Sequence, residues 1–91
     1  MMKKAVITVT GKDMVGILAR VAGICAQDGA NVLEVSQTVL QDVFAMIMLV
    51  DISNATVPFA QFADDLAVIE QELAMKVHVM HEDIFNSMHR I

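Results

Sequence analysis

The sequence predicts an α+β fold with the element order β-α-β-β-α-β, and three features carry that prediction. Several short segments rich in β-branched residues alternate with a period of two. Two longer segments repeat apolar residues at spacings of three and four. Clusters of Gly, Asn and Asp separate them. The 91 residues leave room for one domain over 1–91, whose core is marginal on surface-to-volume grounds unless association covers more of it.

In the first segment Ala5, Ile7 and Val9 alternate with Val6, Thr8 and Thr10, as in a half-buried strand. Gly11 to Gly16 follows as a turn, with Asp13 a candidate N-cap. Ile17, Leu18, Val21, Ile24 and Cys25 then recur at helical spacing, and Gly29 is placed to stop that helix in the left-handed conformation. Val32 to Leu40 reads as a second strand, joined through Gln41-Asp42 to a third over Val43 to Ile52. That third strand is apolar on both faces: Val43, Ala45, Ile47 and Leu49 on one, Phe44, Met46, Met48 and Val50 on the other. Something beyond the domain's own helices is therefore expected to cover the second face.

After a loop at Ser53 to Thr56, Pro58 falls early in a second helix, where a missing amide hydrogen costs little. Phe59, Phe62, Leu66, Ile69 and Leu73 form its apolar stripe. Lys76 to His81 alternates as a fourth strand. Ile84, Phe85, Met88 and Ile91 sit at helical spacing, which predicts a short C-terminal helix with an apolar side that packs across a subunit boundary or over the sheet. This order is a split pair of right-handed crossover units. It yields a ferredoxin-like, four-stranded antiparallel sheet with the first and third strands central and both helices on one face.

Composition excludes several uses of that fold. A net charge of −5 argues against a phosphate-backbone interface, and the central strands carry only Phe44 as an aromatic on which a base could stack, so no nucleic-acid partner is expected. No apolar run is long enough to span a bilayer and no charged-then-apolar leader precedes the first strand, so the chain reads as cytoplasmic with no membrane partner. The single cysteine, Cys25, sits on an apolar helical face with no histidine near it, so it reads as a packing residue; no catalytic set is found, and the chain reads as no enzyme. His78 and His81 lie three apart on a strand and point to opposite faces, and no metal site or cofactor is expected.

The stretch Gly11-Lys12-Asp13-Met14-Val15-Gly16-Ile17-Leu18-Ala19-Arg20-Val21, continuing to Gly29-Ala30-Asn31-Val32, resembles the ACT signature of a strand, a Gly-containing turn, a helix and an Asn-led second strand. Val35 to Val39 and Ile84 to Met88 are similar to small stand-alone ACT proteins of bacteria and archaea. Related modules occur in phosphoglycerate dehydrogenase, phosphoserine phosphatase and the glycine-cleavage repressor. The resemblance implies a non-catalytic regulatory module, a homodimer or higher homo-oligomer, that binds a small-molecule effector such as an amino acid between subunits. The alternative it leaves open is a ligand-free assembly module that regulates a separate enzyme. It also implies a ligand site built from Asp13, Met14, Val15, Gly16, Ile17, Leu18 and, from a neighbouring subunit, Asn31.

Each of these residues has a plainer role beside that one. Gly16 either lets a carboxylate approach the amides that open the first helix or packs closely against the sheet. Asn31 either meets an effector or is a turn residue, and Asp13 is a helix cap, a ligand contact or both. Many family members carry Pro where this chain has Val15, and its absence is expected to loosen the turn.

Overall fold

The computed structural model describes residues 3–12, 16–73 and 75–83. Its elements run β1 (Lys4–Gly11), α1 (Ile17–Gln27), β2 (Asn31–Leu40), β3 (Val43–Asp51), α2 (Phe59–Leu73) and β4 (Lys76–His81). The strands form one antiparallel sheet in the order β2-β3-β1-β4, so β1 and β3 are central, as predicted.

Register explains the two faces. Ile7 lies opposite Met48 and Val79, and Val9 opposite Met46 and Val77. These residues, with Ala5, Phe44 and Val50, pack against Ile17, Val21, Ile24 and Cys25 of α1 and Phe62, Leu66 and Ile69 of α2. Nearly all are buried, which is what the period of two and the helical stripes require. The other face carries rows such as Ser36, Ile47, Thr8 and His78 across the sheet. Val43 and Ile47 there are 44% and 45% exposed. Among the described residues no element covers this second face over β3.

The ends of α1 depart from expectation in one place and meet it in another. The helix begins at Ile17, with Gly16 as its N-cap at φ 77 and no side-chain cap. Asp13 therefore precedes the capping position it was expected to hold. At the other end Gly29 is left-handed, at φ 79. Its amide donates to the Ala26 carbonyl at 3.3 Å, and the Ala30 amide donates to the Cys25 carbonyl at 2.7 Å. That pair of bonds is a Schellman motif, and it satisfies two carbonyls the helix would otherwise leave open.

Pro58 stands just outside α2 instead of within it, and its carbonyl accepts the Phe62 amide at 3.0 Å, the first bond of that helix. Proline fits there because it needs to donate nothing. Between the helices Arg20 donates to Glu72 through Nε at 3.0 Å and Nη2 at 2.6 Å, a half-exposed pair worth at most about 1 kcal/mol. The expected C-terminal helix falls outside the described residues, which end at Asp83.

Candidate functional site

Gly16 opens α1, and its geometry separates the two roles the sequence allowed. A Cβ placed on it would meet no atom within 4 Å. Close packing against the sheet is thus not its reason for being glycine. A positive φ is, because an L side chain resists that region. The bare position stands at the positive end of the dipole of an 11-residue helix that has no acidic residue in its first turn.

Ile17 turns its side chain into the core, so only its amide can serve a ligand, whereas Leu18 is exposed. Asp13, Met14 and Val15 lie outside the described residues. A cavity of about 440 Å³ beside the turn is lined by Thr10, Lys12, Val43, Glu70, Met75 and Lys76.

Asn31 is the first residue of β2, exposed and opposite Asp51. Gly11, which leads into the α1 turn, lies opposite Phe44 at the other end of β3. The two halves of the expected site therefore occupy opposite ends of one chain, separated by the length of α1, roughly 16 Å for 11 residues. A small molecule cannot touch both in the same chain.

Two groups that the sequence did not single out stand near the end of α1. Asp28, the C-cap, is buried at 3% exposure, and one of its carboxyl oxygens, Oδ2, has no hydrogen-bond partner among the described residues. Its carboxyl is pushed up to about 6, first by burial and then by a hydrogen bond to, and the charge of, Asp65 on α2. Asp65 also accepts Gln61 Nε2 at 2.7 Å. Burial, with Asp28 adding to it, pushes the Cys25 thiol up to about 11, so at neutral pH it is a protonated packing group and a poor nucleophile. Asp28-Gly29 reads in sequence as a turn, and no linear signal reveals that α2 brings Asp65 to it.

The histidines do separate as their spacing requires. His78 pairs with Thr8 on the open face, while His81 pairs with Ala5 on the helix face and stacks on Phe59, ring centroids 4.0 Å apart. Among the described residues no group of three or more His, Cys, Asp or Glu is placed to hold a metal ion.

Comparison with known proteins decides the family. The sequence pattern of the ACT domain matches residues 3–84. This chain belongs to the ACT domain family. It is 49% identical over 90 residues to a UPF0237 protein of Methanocaldococcus jannaschii, covering 99% of this chain and all of that one. It also resembles the solved ACT domain protein of Streptococcus pneumoniae, with a TM-score of 0.79 and 36% identity over 93% of this chain and 96% of that one. A putative glycine cleavage system transcriptional repressor shares the fold at a TM-score of 0.75, with 21% identity, 89% of this chain covered and 46% of the repressor. The ACT chain is thus a small, stand-alone regulatory module of ferredoxin-like fold. None of its described helices is long and apolar enough to cross a membrane.

Proposed function

We propose that the chain is a non-catalytic cytoplasmic sensor whose subunits associate and bind an amino acid between the α1 turn of one and Asn31 of another. The observation that carries this reading is Gly16: a left-handed N-cap with open space where a side chain would stand. An α-carboxylate suits that space, because it accepts from several amides at once and complements the helix dipole.

The outer edge of β2 supports the association. Leu33, Val35 and Val39 are exposed along it, and Leu18 is exposed on α1. An antiparallel, two-fold pairing of β2 edges would cover part of this apolar row. It would also carry the Asn31 end of one strand to the Leu40 end of the other, where α1 begins. The opposite placement of Gly16 and Asn31 within one chain then becomes proximity between two. The open β3 face, with Val43 and Ile47, offers a second apolar surface for higher association.

A thermal-shift screen against the proteinogenic amino acids tests the reading. At a hundred times its dissociation constant the effector should raise stability by roughly 2.7 kcal/mol, a shift of several degrees or more. Gly16→Asn is the informative variant, since Asn tolerates positive φ while its side chain fills the space before the amides; it should abolish the shift. Asn31→Ala should weaken binding by about 1 kcal/mol. No shift with any amino acid would overturn the sensor and leave an assembly module that regulates a separate enzyme.

A further inference from the structure

A second cavity, of about 270 Å³, lies at the opposite end of the sheet from the Gly16 turn, between the β3–α2 loop, the start of α2 and the end of β4. We propose that it binds a small carboxylate with a short, branched apolar tail. Three observations combine to select that chemistry.

The first is the wall. Ile52 and Phe62 are buried core residues that line the cavity, and Phe59 lines it beside them. They offer an apolar floor sized for a group of a few carbons, below the usual range of drug-sized pockets. The second is the rim, where the titratable residues are Lys3 and His81, with no carboxylate among the lining residues. The carboxylate in the neighbouring strand, Asp51, lies across from Lys4 on the sheet's other face. It is held below the usual carboxylate range, first by the Ser53 amide and then by the Ser53 hydroxyl. Lys4 in turn meets Glu82 at 3.9 Å. The titratable side chains that line the cavity are thus Lys3 and His81 alone, while Asp51 is engaged by Ser53 at its edge.

The third is rigidity. Lys3 is tied down through its backbone, its carbonyl accepting the Ile52 amide at 2.8 Å and its amide donating to Ser53 Oγ at 2.7 Å. His81 lines the cavity, and its ring lies nearly flat on Phe59, with 19° between the planes, so the stack restricts the ring. A stacked ring loses little freedom when a carboxylate arrives, and the Lys3 ammonium reaches it on an exposed side chain from an anchored backbone. The first turn of α2 adds partial positive charge of the same sign. The site is complete within one chain, so it does not depend on association or on the reading of Gly16.

The test uses 3-methylbutanoate as the probe in an amide NMR titration of the full chain, with 3-methylbutan-1-ol and 3-methylbutylamine as matched controls. Saturable shifts are expected at Ser53, Ala55, Phe59 and His81 with a roughly millimolar dissociation constant, as suits seven non-hydrogen atoms. The amine should give none and the alcohol weaker ones. Lys3→Met, an exposed change that leaves the core intact, and His81→Gln should each weaken the acid by about threefold or more. Gly16→Asn should leave it unchanged, which separates this site from the one between subunits. Absence of saturable shifts, or shifts of equal size from the amine or the alcohol, would overturn the proposal.

Discussion

Gly29→Val is expected to destabilise the protein by roughly 2–5 kcal/mol, the sum of a backbone term and a packing term. At φ 79 an L residue pays for the left-handed region, and a β-branched one more than most. The added Cβ would also stand 2.9 Å from the Asn54 carbonyl oxygen, 3.2 Å from the Thr56 nitrogen and 3.3 Å from the Ala55 Cα, all backbone atoms of the β3–α2 loop. That loop cannot simply retreat, because the Thr56 amide donates to the Asp28 carbonyl at 2.8 Å. Either the loop or the end of α1 must yield. A urea titration should show a large fall in midpoint with little change in slope, and equal stability would contradict the assignment.

The second large effect concerns the neighbouring residue. Asp28 carries a folded-state pKa of about 6 against an ordinary 3.8, so the folded protein binds more protons than the unfolded chain between those values. Stability must then fall as pH rises through that window, by up to about 3 kcal/mol for a shift of some two units. The groups facing Asp28 do not relieve it. Cys25 is neutral, Asp65 carries like charge, and Arg20 on the same helix pair is committed to Glu72 two turns away. The C-terminus of α1, with no basic residue in its last turn, adds negative potential.

Asp28→Asn removes the titration while its amide can still donate to Asp65. At pH 8 the variant should be more stable than wild type by about 1–3 kcal/mol, and the decline in stability between pH 4 and 6 should flatten. Below pH 4, where the wild-type carboxyl is protonated, the two should converge. Urea midpoints measured across this range check the sign, and a variant no more stable than wild type at pH 8 would refute the account of Asp28.

The contrast between these adjacent residues shows what a linear reading can see. Gly29 was legible because it stands between a helical stripe and a strand, where only a few backbone solutions exist. The strands were legible for a similar reason: Ala5, Ile7 and Val9 repeat every second residue, and their burial follows from the pleat. Asp28 was not legible, since its environment is made by Asp65, 37 positions later, and depends on how α2 crosses α1. The misplaced cap has a local cause. Asp13 has the right chemistry to begin a helix, but a left-handed Gly16 delays α1 by several residues, and nothing in apolar spacing records that delay.

The candidate sites divide in the same way. Gly16 and Asn31 were readable from a family pattern that spans the turn and the next strand. Their placement at opposite ends of the chain needed the register of β3 with β1 and β2. The separation of His78 and His81 onto opposite faces was readable from their spacing on a strand, but the stack of His81 on Phe59 arises only when the end of β4 meets the start of α2.

The central claim is that one effector is held by two chains, and a mixing experiment tests it most directly. Gly16→Asn should block the turn, and Asn31→Phe should block the strand side, so neither variant alone should bind the amino acid that stabilises wild type. In a mixed dimer the intact turn of the second variant meets the intact Asn31 of the first. With random exchange of subunits, calorimetry of an equal mixture should therefore recover about a quarter of the wild-type sites at wild-type affinity, since half the dimers are mixed and each holds one intact site of two. No recovery after subunit exchange, with both variants folded and associated, or wild-type affinity retained by Asn31→Phe alone, would contradict the bridging site.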